Sequence, residues 1–134
     1  MLMTNYGSGA EYLYSTTVPV LLDGKRLAGK LAMEIYVRHG LISHWIGCGN
    51  SFQLTAYAHK HPLPCHFKHL SDDILLKILL DFSEGYQGIL ALYPCSEEAQ
   101  AFVERMAISL ESHFVILSPD LSRDPLAPLV KKVY

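Results

Sequence analysis

The chain has little of what usually announces a function. Its three cysteines, Cys48, Cys65 and Cys95, are odd in number and too widely spaced for a disulfide framework. Thiols in that arrangement suit a reducing compartment, so a cytoplasmic protein is expected. No run approaches the roughly 20 apolar residues of a membrane span. The start, Met1-Leu2-Met3-Thr4-Asn5-Tyr6, lacks the basic and apolar regions of a signal peptide. A cationic excess is missing too: 11 Lys and Arg against 13 Asp and Glu give a formal charge of -2. That balance argues against a general nucleic-acid binder. There is no Gly-rich phosphate loop, dinucleotide fingerprint, Ser-His-Asp order or paired-carboxylate motif.

What remains is the composition of one globular domain. Of 134 residues half are hydrophobic and 18% charged, enough to bury a core without staples. Residues 1–10 read as a leader, 11–118 as a single domain and 119–134 as an extended C-terminal arm.

The first half alternates as strands do. Tyr12, Tyr14, Thr16, Val18 and Val20 share one side. Asp23-Gly24 then gives a strong hairpin signal, because a type I′ turn needs positive φ at both central positions. Leu27, Leu31, Met33, Ile35 and Val37 alternate with Lys30, Glu34 and Arg38. A two-residue loop sets Val20 opposite Leu27 and Thr16 opposite Leu31, all on one apolar side. Pro19 cannot donate to a ladder, which points to an edge or a bulge. His39-Gly40 reads as a second tight turn into Leu41–Gly47. Gly49-Asn50 reads as a third, into Ser51–Ala58, with a strand preferred there over a short helix capped by Asn50.

The second half changes period. Ser71 is a good N-cap, Asp72 and Asp73 suit the helix dipole, and Ile74, Leu75, Ile78, Leu79 and Phe82 form one face. Gly85 fits a left-handed stop. Gly88–Tyr93 is a continuous apolar run, as a doubly covered central strand requires. Ser96 caps a second helix reaching Leu110, and His113–Ser118 is another strand, so a parallel pair with a crossover is expected.

The fold class predicted is α+β. An antiparallel meander of three or four strands (about 11–58) precedes α-β-α-β (about 71–118), giving one mixed sheet with two helices packed on it. This element order is similar to that of the ribonuclease-H-like fold. Those nucleases hold divalent metals with strand carboxylates, and neither Tyr12–Leu22 nor Gln87–Tyr93 carries one, so the likeness implies no catalysis.

Candidate chemistry centres on His59-Lys60-His61-Pro62-Leu63-Pro64-Cys65-His66-Phe67-Lys68-His69, which holds four of the seven histidines. His59, His61, Cys65 and His69 would make a tetrahedral zinc set. Their spacing matches no established zinc pattern, so a polar connection that happens to use histidine is the plainer reading. The imidazoles could also protonate together near pH 6.

Cys48, flanked by Gly47 and Gly49, is a candidate catalytic nucleophile. His44, four residues along a strand, stands about 13 Å away and cannot serve as its base. A small buried cysteine packed near Leu31 is the alternative. Cys95 sits ahead of the Ser96 helix, where the dipole lowers a thiol pKa, but Glu97 and Glu98 would repel an anion. Lys25, Arg26 and Lys30 form a local basic strip that reads as solvated surface.

The leading expectation is a non-catalytic interaction or assembly module, working on a protein partner or as a homodimer. An edge strand and a Leu-rich tail (Leu121, Leu126, Leu129, Val130) motivate it. The rival is a metal-dependent or thiol-dependent enzyme or sensor with zinc at the His59–His69 cluster. A nucleic-acid accessory role comes third.

Overall fold

A strand that is apolar at every position from Val18 to Leu22 needs cover on both faces, and it has it. The computed structural model describes residues 15–48, 58–63 and 71–129. Its elements run β1 (Thr17–Leu22), α1 (Lys25–His39), β2 (Ser43–Cys48), β3 (Ala58–Leu63) and α2 (Asp72–Glu84). They continue with β4 (Ile89–Pro94), α3 (Glu97–Arg105), α4 (Ala107–Leu110) and β5 (Val115–Ile116). One sheet has the strand order β3-β2-β1-β4-β5, and every pair in it is parallel.

Side chains alternate between the two faces. Leu21, Trp45, Ala91, Tyr93 and Leu117 pack with Ala28, Leu31, Ala32 and Ile35 of α1. Val20, Leu22, Ile46, Leu90 and Leu92 pack with Leu75, Leu79 and Phe82 of α2 and with Ala99, Phe102 and Val103 of α3. The protein is therefore a doubly wound α/β fold. The expected α+β class, the antiparallel meander and the mixed sheet are all overturned. With the meander goes the likeness to the ribonuclease-H-like element order.

The error lies at Asp23-Gly24. Both residues do have the positive φ of a hairpin turn, 59° and 54°, yet the chain leaves them as a helix. Leu31 and Ile35 fit both a period of 2 and one of 3.6. Ala28 and Ala32 complete only the helical set, and all four are fully buried. Met33 and Val37, apolar partners in the strand reading, are 42% and 71% exposed. Gly40, at φ 70°, then closes α1 by donating its N–H to Tyr36 O at 2.8 Å. His39-Gly40 thus ends a helix and does not turn a hairpin.

Pro19 lies in the central strand, not at an edge. The β1–β2 ladder begins only at Val20, so Pro19 has β4 alone beside it, opposite Ala91. The missing N–H falls where one ladder has not started.

In the second half Ser71 Oγ accepts from Ile74 N at 3.3 Å and Ser96 Oγ from Ala99 N at 3.0 Å. Gly85 is right-handed (φ -84°) and not left-handed, and Met106 divides the second helix into α3 and α4. Leu126 and Leu129 of the tail are fully buried against the α1 side of the sheet. They fill this chain's own core and offer nothing to a neighbour. Residues 1–14, 49–57, 64–70 and 130–134, including Tyr12, Tyr14, Cys65, His66, His69 and Val130, lie outside the described residues. Among the described residues no helix is long and apolar enough to cross a membrane.

Candidate functional site

The winding direction reverses between β1 and β4. The loops at their carboxyl ends, Asp23-Gly24 and Cys95-Ser96, therefore touch at their base and lead to helices on opposite faces of the sheet, with a crevice above the contact. Parallel sheets bind ligands at such a switch point.

Hydrogen bonds tie these loops to each other and to β2. Cys95 N donates to Leu22 O at 2.9 Å and Asp23 N to Ile46 O at 2.8 Å. Trp45 Nε1 donates to Asp23 O at 3.0 Å. The approach is closest at Gly24, where a β-carbon would stand 1.9 Å from Cys95 O. Only glycine satisfies both that contact and the positive φ.

Above this floor lies a cavity of about 490 Å³, lined by Gly24, Lys25, Arg26, Leu27, Lys30, Cys95 and Leu121. The volume falls within the small-molecule range. Its charge is one-sided. Lys25, Arg26 and Lys30 are exposed, and no ion pair joins them to other described residues. The first turn of α1 holds no acid, and its N-cap, Gly24, makes no side-chain cap. Among the described residues no side chain therefore caps the leading N–H groups of α1, at the positive end of its dipole and beside two cations.

The nearest carboxylate is turned away. Ser96 Oγ donates to Asp23 Oδ2 at 2.5 Å while accepting from Ala99 N. Asp23 thus supplies an anion to the start of α3 and none to α1.

Cys95 forms part of the cavity wall, and it is not the activated thiol its place before a helix suggests. It is 5% exposed, and Sγ donates to Tyr93 O at 3.4 Å. Burial pushes its pKa up to about 12, and the Asp23 charge adds to the shift against a contact with Leu22. At neutral pH it is a small hydrophobe.

Of the other anticipated site residues Cys48, His59 and His61 lie elsewhere. Cys48 ends β2, beside Leu63 in the ladder. His59 and His61 are strand residues of β3, opposite His44 and Ile46, and not members of a loop. Cys65 and His69 fall outside the described residues. No group of three or more His, Cys, Asp or Glu able to hold a metal occurs among the described residues. His44 lies beside the α2-side core, edge-on to Phe82 and Tyr86 with ring centres 5.3 and 4.9 Å away.

The basic strip was visible in the sequence but misplaced. Read as the tip of a hairpin, Lys25, Arg26 and Lys30 are surface. Read as a helix start after an unbroken apolar strand, they stand at the mouth of a switch point. The usable signal was the run Val18–Leu22, too continuous for a half-exposed hairpin strand. Comparison of the chain with models of known families, with curated proteins and with solved structures finds no match.

Proposed function

We propose that this chain is a ligand-binding α/β domain that takes a small anion, phosphate- or carboxylate-bearing, in the crevice between β1 and β4. The observation that carries the reading is the uncapped, acid-free start of α1, with Lys25 and Arg26 in its first turn and a cavity above it. Two cations there oppose the helix dipole, and a bound anion relieves that conflict. Leu27 and Leu121 add apolar wall, which suits an anion attached to an apolar body. A reducing, cytoplasmic setting belongs to the proposal, supported by the free, buried Cys95.

Titration calorimetry with inorganic pyrophosphate and with citrate at low ionic strength tests it. Saturable binding is expected, weakened at least tenfold in a Lys25→Ala, Arg26→Ala variant and by added salt. No binding at millimolar concentrations of either anion contradicts it.

A second reading, an assembly module that pairs with another copy of the chain, keeps one supporting observation. Met33, Tyr36 and Val37 leave apolar surface on the outer side of α1, 42%, 42% and 71% exposed. Light scattering over a range of concentrations tests it. A dimer lost in Val37→Lys supports it, and a strict monomer removes it.

A further inference from the structure

We infer that Ser118–Arg123 is a strap that opens and closes the mouth of the crevice, controlling access to it; the inference rests on the anion-binding reading above. Both ends of the segment are pinned. Leu117 N donates to Leu92 O at 2.9 Å, tying the near end to β4. At the far end His39 Nε2 donates to Asp124 Oδ1 at 2.7 Å and Tyr93 Oη to Pro125 O at 2.8 Å. Leu126 and Leu129 follow, fully buried.

Between these anchors the hydrogen bonds of the loop to described residues are its own. Asp120 N donates to Ser118 O, and Asp120 Oδ1 accepts from Ser122 N at 2.8 Å and Ser122 Oγ at 2.6 Å. Arg123 Nε lies 3.5 Å from Asp120 Oδ2. Among the described residues no hydrogen bond ties Ser118–Arg123 to the body of the domain. A segment with firm ends and an internally bonded middle moves as a unit, at low cost. Its contribution to the crevice is apolar: Leu121 lines the cavity and is 38% exposed. A ligand beneath it would cover the rest of that side chain, so occupancy favours the closed position.

Cys95, on the wall of the same cavity, reports the motion. In a Cys48→Ser, Cys65→Ser background it is the one thiol available to iodoacetamide. Asp120→Ala, which removes the contacts that shape the loop, is expected to speed Cys95 alkylation at least tenfold with the melting temperature unchanged. A rate within twofold of the parent overturns the strap. Saturating inorganic pyrophosphate is expected to slow alkylation of the parent at least fivefold. If pyrophosphate changes nothing while Asp120→Ala still accelerates labelling, the strap stands and the anion-binding reading fails. Hydrogen exchange of the unsubstituted chain is the second measurement. Amides of Leu121–Arg123 exchanging at least a hundredfold faster than those of Leu126 and Leu129 support the strap, and equal rates overturn it.

Discussion

Ser96 Oγ donates to Asp23 Oδ2 at 2.5 Å while it accepts from Ala99 N at 3.0 Å. One hydroxyl therefore couples the loop after β1 to the first turn of α3 and fixes both banks of the crevice. Among the described residues Ser71 Oγ, by contrast, accepts only from Ile74 N, at 3.3 Å and on the surface.

Ser96→Ala is accordingly expected to cost roughly 1–2 kcal/mol and Ser71→Ala about half that. Urea denaturation of the two variants side by side measures the difference. Equal losses would mean that the Asp23 contact adds nothing to the cap.

Gly24→Ala and Gly40→Ala separate two effects of one substitution. Both glycines have positive φ, but nothing lies within 4 Å of a β-carbon at Gly40. Gly40→Ala is expected to cost about 1 kcal/mol, the price of the left-handed backbone alone. Gly24→Ala adds a collision with Cys95 O and should cost roughly 2–4 kcal/mol. Thermal or urea unfolding gives both values. Similar losses at the two positions would mean that the β1 and β4 loops are not in contact.

Buried Cys95 makes stability fall in alkali. Its pKa rises from 9.0 to about 12 on folding, so the neutral thiol is the form the fold favours. Its contribution is fully present below pH 9 and is lost as pH climbs toward 12, because the unfolded chain releases the proton first. The slope is at most about 1.4 kcal/mol per pH unit. Urea midpoints from pH 8 to 11, compared with Cys95→Ala, isolate the residue. The variant should decline less steeply, and parallel curves would show that Cys95 is accessible to water.

Ser43 Oγ is buried with no hydrogen-bond partner among the described residues. An unsatisfied hydroxyl is a cost, so Ser43→Ala is expected to raise stability by about 1 kcal/mol. Destabilisation in chemical denaturation would reveal a partner for the hydroxyl.

The second half of the chain was legible because each of its signals agreed with the others. Ser71 and Ser96 precede amphipathic runs, and Ile89–Tyr93 is apolar throughout. In the first half two patterns were superimposed. Asp23-Gly24 supplied turn chemistry, Leu27 to Val37 supplied alternation, and only Ala28 and Ala32 spoke for a helix. Alanine contributes little to a hydrophobic pattern, yet it lets α1 lie close on the sheet. Taking the 15 residues of α1 as a strand makes its neighbours antiparallel, and the switch point belongs to the parallel arrangement. Of the four zinc candidates only His59 and His61 fall among the described residues. Backbone registry puts His59 and His61 on a strand, while Cys95, Lys25 and Leu121, far apart in sequence, share one cavity.

Amide chemical-shift mapping with inorganic pyrophosphate tests the central claim most directly. Perturbations confined to Gly24–Leu27, Cys95–Ser96 and the segment around Leu121 are predicted, fading in Lys25→Ala, Arg26→Ala. Shifts scattered over surface lysines such as Lys77, or no shifts at all, would contradict a ligand site between β1 and β4.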